Sequence, residues 1–229
     1  MNDGGWKWAS SGALEGSVNG VKIKIIDQNN NGRFNDVGVD AIVVGKSTVA
    51  SYLSRVINAK GSLVEIEVAS NGKEVSYKPF EGKTGVLNLR SKFSAKGKLT
   101  AAVVMSDDGN YSFELAGAKN GMLIPEGAYI IKSGQVTAGK ETALIKQGDA
   151  KNITVSASEP SVFEWGGPVR AEFTYDRVGD KVTFSPGNLT YIGKAGEVYH
   201  SWVPTGAPPK FVIRDGKGRE ITSAKFGAS

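Results

Sequence analysis

Leu63-Val64-Glu65-Ile66-Glu67-Val68, followed by Asn71-Gly72 and then Glu74-Val75-Ser76-Tyr77, decides the fold class of this chain. Val64, Ile66 and Val68 alternate with Glu65 and Glu67. A period of two places one set on a core and the other in water. Asn-Gly is the composition of a tight primed turn, because both residues accept positive φ. The stretch therefore predicts a β-hairpin.

The same pattern extends in both directions. Val21-Lys22-Ile23-Lys24-Ile25-Ile26 alternates and runs into a polar loop, and Ala41–Val44 is a short buried-type run. Residues 48–58 leave two readings open, a short helix or a curved strand, since Val49, Leu53, Val56 and Ile57 fit a helical face. Thr84–Leu89 is a strand, and the polar stretch Arg90–Lys98 reads as a linker or exposed loop. Further strands are predicted at Ala101–Met105, Tyr111–Leu115, Ala128–Ile131, Thr142–Lys146 and Asn152–Ala157. In the last third they fall at Val169–Tyr175, Lys181–Phe184, Leu189–Ile192, Lys210–Ile213 and Glu220–Phe226. Turn residues recur every eight to twelve positions or so, the spacing of sandwich folds. The reading is an all-β chain of tandem or fused small β-sandwich-like domains. They are a β-rich domain over 1–95, a β-sandwich over 96–160 and an Ig-like β domain over 161–229.

Composition narrows the function classes. With 30 glycines against 8 prolines and no three-residue glycine period, the chain is turn-rich and not collagenous. Apolar residues at 40% allow packed cores. The net charge of +5 is dispersed, with no run of basic residues, so no nucleic-acid partner is expected. No cysteine is present, which removes disulfides and thiolate zinc sites. No apolar run is long enough to span a bilayer as a helix. The first residues, Met1-Asn2-Asp3-Gly4-Gly5, lack the features of a signal peptide. The chain is expected to be extracytoplasmic, with its targeting segment outside this sequence.

One stretch carries specific chemistry. Asp27-x-Asn29-x-Asn31-Gly32-Arg33-x-Asn35-Asp36 sets oxygen donors at alternating positions, with glycine after the third to permit a sharp turn. It resembles the DxDxDG-type calcium loops of EF-hands and dockerins. That resemblance implies Asp27, Asn29 and Asn31 as side-chain ligands, the Arg33 carbonyl as another, and Asn35, Asp36 or Asp40 at the remaining corner. The position that an EF-hand gives its bidentate glutamate is Gly38 here. Calcium is the one cofactor expected. The alternative is a hydrogen-bonded polar turn, since Asn, Asp and Gly satisfy their own backbone in loops. Asp108-Gly109-Asn110-Tyr111-Ser112-Phe113 with Pro125-Glu126-Gly127-Ala128-Tyr129 is similar to prealbumin-like or Cna-B-like modules of bacterial surface proteins. In those, the aromatic residues fill the core.

Other motifs fail. Gly45-Lys46-Ser47 ends like a phosphate-binding loop, but Asp40 stands where its first glycine belongs. His200 is the only histidine, and no nucleophile elbow accompanies it. Glycoside hydrolysis needs two carboxylates about 5–5.5 or 6.5–9.5 Å apart, for which Glu164, Glu172 and Glu197 are the candidates. Trp165 reads as a core residue. Tyr199 and Trp202, ahead of Pro204, Pro208 and Pro209, read as an exposed binding patch, and Trp6 and Trp8 are further aromatics that could sit on a surface. The leading expectation is a non-catalytic structural or adhesive module, partnered by other domains or surface proteins. A carbohydrate-binding module with a polysaccharide partner comes second, and a carboxylate-based hydrolase third.

Overall fold

The computed structural model describes residues 12–202 and 210–225. Every element among them is a strand, and no helix is present. Trp6, Trp8, Pro204, Pro208, Pro209 and Phe226 lie outside the described residues.

β1 (Ala13–Val18), β2 (Val21–Ile26), β3 (Ala41–Val44) and β4 (Ser51–Tyr52) form an antiparallel sheet in chain order. β5 (Val56–Ala59), β6 (Ser62–Val68) and β7 (Val75–Pro79) form a second meander. The 48–58 region is thus two strands and not a helix. Its weak alternation has a physical cause. Ile57, Ala59, Val64, Ile66 and Val68 face an N-terminal core with Ile23, Ile25, Ile42 and Leu53, whereas Val56 and Leu63 join a larger core beyond. A strand buried on both faces loses its polar phase.

Next come β8 (Thr84–Asn88), β9 (Phe93–Ser94), β10 (Lys98–Ser106), β11 (Ser112–Glu114), β12 (Met122–Pro125), β13 (Gly127–Ala138), β14 (Glu141–Lys146), β15 (Ile153–Val155), β16 (Ser161–Val162) and β17 (Trp165–Gly166). The chain then runs through β18 (Arg170–Val178), β19 (Lys181–Ile192), β20 (Val198–His200), β21 (Lys210–Arg214) and β22 (Glu220–Lys225). The largest sheet has the order β11-β10-β13-β14-β20-β19-β18, with β15 also on β13. β12 and β16 flank β8, β17 pairs with β9, and β21 pairs with β22.

The cores do not follow the expected divisions at 95 and 160. Leu87 and Leu89 share the larger core with Leu99, Val104, Phe113, Tyr129, Trp165 and Tyr199. The stretch 90–98 is no linker: it contains β9, whose Phe93 ring lies 4.6 Å from that of Trp165. Trp165 has no exposed surface, as expected of a core residue, and donates its indole N–H to the Leu89 carbonyl at 2.7 Å. Phe113 and Tyr129 are buried, as a core-filling role for the middle aromatics requires, and Tyr111 packs partly buried against them.

The hairpin read from Asn71-Gly72 forms, with Val68 opposite Val75, but its turn differs from expectation. Ala69 N–H still bonds the Glu74 carbonyl, so the loop has four residues, and only Gly72 has positive φ, at 68°. Asn71 instead accepts the Lys73 N–H through its side chain. Among the described residues, the two-residue turns with positive φ at both positions are Asn19-Gly20 (47°, 70°) and Lys60-Gly61 (59°, 95°).

Candidate functional site

The Asp/Asn loop sits between β2 and β3, whose pairing (Ile26 opposite Ala41) closes it at the base. Asp27 and Asp40 flank that base and are both buried. Asp27 accepts the N–H of Asn31 (3.2 Å) on Oδ1 and that of Gly32 (2.8 Å) on Oδ2. Asp40 accepts those of Gln28 (3.2 Å) and Asp36 (2.9 Å) on its two oxygens. Asp36 takes the side-chain amides of Asn29 (2.9 Å) and Asn31 (2.5 Å) on one oxygen. Asn29 Oδ1 accepts the Asn31 N–H, and Asn31 Oδ1 accepts the Arg33 N–H. Arg33 and Asn35 are exposed.

The sequence therefore brings Asn29, Asn31 and Asp36 to one point, with Asp27 and Asp40 bracing the backbone behind it. The two amide donors hold the Asp36 carboxyl below its ordinary range. Burial pushes Asp40 the other way, against the two N–H groups it accepts, and the nearby charges of Asp36 and Asp27 add to the rise. Among the described residues, no three or more His, Cys, Asp or Glu side chains are grouped to share a metal ion. A cation here would draw on amide and carbonyl oxygens as much as on carboxylates. Gly38 has φ of 75°, and a Cβ there would stand 2.9 Å from the Gly109 carbonyl oxygen. A bidentate glutamate has no room at that position.

Tyr199 corrects the expected aromatic patch. It lies on β20 with 7% of its surface exposed and belongs to the larger core. Burial, with the Glu197 carboxylate beside it, raises its phenol well above the ordinary range. Trp202 is 37% exposed, edge-on to Tyr191 at 5.0 Å, with its indole N–H donated to Glu141 (3.1 Å).

The carboxylates considered for hydrolysis are each engaged. Glu164 pairs with Lys194 (2.6 Å) and Glu172 with Arg170 (2.6 Å). Glu197, with no exposed surface, accepts the Gly166 N–H (2.7 Å), the Ala195 N–H (3.0 Å) and the Tyr199 hydroxyl (3.3 Å). A cleft of about 670 Å³ has Lys46, Arg90 and Lys98 in its lining and Glu114 as its one carboxylate. Glu114 is held there by the N–H groups of Ala102 and Ala116. A second hollow, of about 600 Å³, carries Glu65 and Glu67 side by side on β6, the first ion-paired with Lys78 at 2.9 Å. His200 is exposed and lies 3.1 Å from the Ser201 hydroxyl.

Two features escaped the sequence reading. Glu197 is the buried latch between β17 and β20, and its spacing from Gly166 carries no local signal. The other is the exposure of the β18–β19 ribbon, whose strands were themselves expected. Every residue of β18 is exposed, including the large apolar Tyr175 (58%) and Val178 (80%). Opposite Thr174, β19 bulges over residues 185–188, between the pairs Phe173–Leu189 and Tyr175–Phe184. The Phe184 ring meets those of Phe173 (5.6 Å, 66°) and Tyr175 (5.7 Å, 48°). These rings are inclined and make no flat platform. Alternating Phe173 and Tyr175 before Gly179-Asp180, with Phe184 after it, is the signal that could have found the ribbon's aromatic cluster.

The chain matches no protein-family model, no curated protein and no solved structure. Among the described residues, no helix is long and apolar enough to cross a membrane.

Proposed function

We propose that this chain is a non-catalytic structural or adhesive β-rich module of an extracytoplasmic bacterial protein. One observation carries the reading. The carboxylates that would run a hydrolase, Glu164, Glu172 and Glu197, are each engaged by a cation or by backbone N–H groups, and none of them lines either of the two clefts described above. General acid catalysis on a glycosidic bond needs two opposed carboxyls with the sugar between them. The surface feature that stands out is instead a ribbon suited to contact. Its natural partners are other domains or surface proteins. A polysaccharide is the weaker candidate, because stacking on sugars favours parallel exposed rings and those of the ribbon are tilted. The test is incubation of the purified chain with a panel of polysaccharides, reading released reducing ends. None is expected. Release that disappears in Glu172→Gln with the fold intact contradicts the proposal.

A second reading, calcium in the 27–40 loop, is favoured by the convergence of Asn29, Asn31 and Asp36. These residues also carry oxygens, which suit a hard cation once the Asn29 and Asn31 amides turn over from the Asp36 to which they donate. Asp27 and Asp40 each have lone pairs beyond the N–H bonds they accept. Asp27, Asn29, Asn31, Asp36 and the Arg33 carbonyl would hold the ion, with Asn35 and Asp40 at its edge. It would supply rigidity, not chemistry. Millimolar calcium then raises the melting temperature of the wild type and leaves Asp36→Ala unmoved. An equal response of the two proteins, or none in the wild type, contradicts this reading.

A further inference from the structure

We propose that the outer edge of β18 pairs antiparallel with β18 of a second copy of this chain, in a register centred on Phe173. The inference goes beyond the module reading and stands without it, since an enzyme could associate by the same edge.

β18 ends the largest sheet, and among the described residues β19 is the strand it bonds to. Its nine residues are exposed and include no proline. Such an edge offers a row of backbone N–H and C=O groups to another strand. Proteins usually guard long edges with charged side chains, above all lysine, or with proline. β18 has neither lysine nor proline, and its four charges, Arg170, Glu172, Asp176 and Arg177, sum to zero, so a second copy can answer each sign with its opposite.

A two-fold axis normal to the sheet makes two copies of an edge antiparallel, and it sets one residue opposite its own copy. Each possible centre has its own charge pattern, read from the strand sequence. Centring on Thr174 faces Glu172 with Asp176 twice. Centring on Glu172, Asp176 or Arg177 faces a charge with itself. Centring on Ala171, or on either end, leaves three residues or fewer in the overlap. Centring on Tyr175 forms no charge pair. Centring on Phe173 overlaps residues 170–176 and faces Arg170 with the second copy's Asp176, twice. Ala171 then faces Tyr175, and Glu172 faces Thr174. Opposite charges directly across antiparallel strands attract, and like charges there repel. Arg170 holds Glu172 within its own chain at 2.6 Å, and its guanidinium has further N–H groups for Asp176. The contacts of Phe184 with Phe173 and Tyr175 fall beside the axis, so the two aromatic clusters become neighbours.

Sedimentation equilibrium of the full chain, from micromolar to hundreds of micromolar, tests the proposal. A monomer–dimer equilibrium is expected. Arg170→Asp or Asp176→Arg alone turns both pairs repulsive and weakens the dimer by about tenfold or more, and the double reversal restores it. Both side chains are exposed, so unchanged circular dichroism confirms that folding is not what moved. The chain has no cysteine. Phe173→Cys therefore places the only thiols at the axis and traps a covalent dimer on oxidation, whereas Val178→Cys does not. A monomer at every concentration, a dimer indifferent to both charge reversals, or a monomeric chain whose ribbon is taken up by lipid vesicles or another protein overturns the proposal.

Discussion

Asp40 shows how a polar side chain can brace a loop with no chemistry attached. It has no exposed surface, and its oxygens take the N–H groups of Gln28 and Asp36 from the two arms of the loop. Its own carbonyl accepts the Leu53 N–H at 2.6 Å, which ties the loop to the chain just past β4. Asp40→Ala leaves two partly buried donors without an acceptor, so it is expected to cost about 2–3 kcal/mol, read in a denaturant melt. The pH dependence has a definite sign. Burial raises the Asp40 carboxyl above its ordinary 3.8, so the folded state holds the proton more tightly than the unfolded chain. Its contribution to stability therefore falls as pH rises from about 3.8 through the folded value. Asp36 is lowered and behaves oppositely, losing its contribution as pH falls. Asp40→Asn keeps one acceptor oxygen and has no such titration, so its cost relative to wild type is expected to be smaller at pH 7 than at pH 4. A larger cost at pH 7 would mean that the hydrogen bonds outweigh burial.

At the scale of elements, turn chemistry fixes strand register. Lys60-Gly61 joins β5 to β6 with both residues at positive φ, where an L side chain without a short polar group is strained. Lys60→Asn is expected to stabilise the protein by about 0.5–1 kcal/mol, measured by chemical denaturation. No change, or a loss, would show that the Lys60 side chain makes up for its backbone. The same scale explains what could be read from the sequence. β2 was legible because its buried residues alternate with more exposed ones, and β3 because it is a short unbroken apolar run. β1 was not, because Ala13 to Ser17 stay largely exposed and only Val18 is fully buried. Its one strong cue was Asn19-Gly20, a truer primed turn than Asn71-Gly72. β5 was ambiguous because both of its faces are buried. The polar loop was legible because Asp, Asn and Gly act on backbone within a few residues. Glu197 was not, since its Gly166 partner is 31 residues away. Tyr199 was misread because an aromatic between polar neighbours near prolines looks the same in sequence whether its ring turns in or out.

In the whole molecule, packing runs across the expected domain boundaries. β5 and β6 contribute side chains to both cores, and β8, β9 and Trp165 close the larger one from either side of residues 96–160. Gly38 lies against Gly109, and Arg55 bonds Asn110 through backbone (2.9 Å) and side chain (2.9 Å), so the Asp/Asn loop and its neighbours touch the middle of the chain directly. A segment cut at 96 and 160 would lose Leu87, Leu89, Trp165 and Tyr199 from its core. Scanning calorimetry of the full chain tests this most directly. One transition is expected, through Leu53, Ile57, Leu87 and Tyr129 together, with calorimetric and van't Hoff enthalpies equal. Two separate transitions, one of them kept by a chain ending at residue 95, would contradict it.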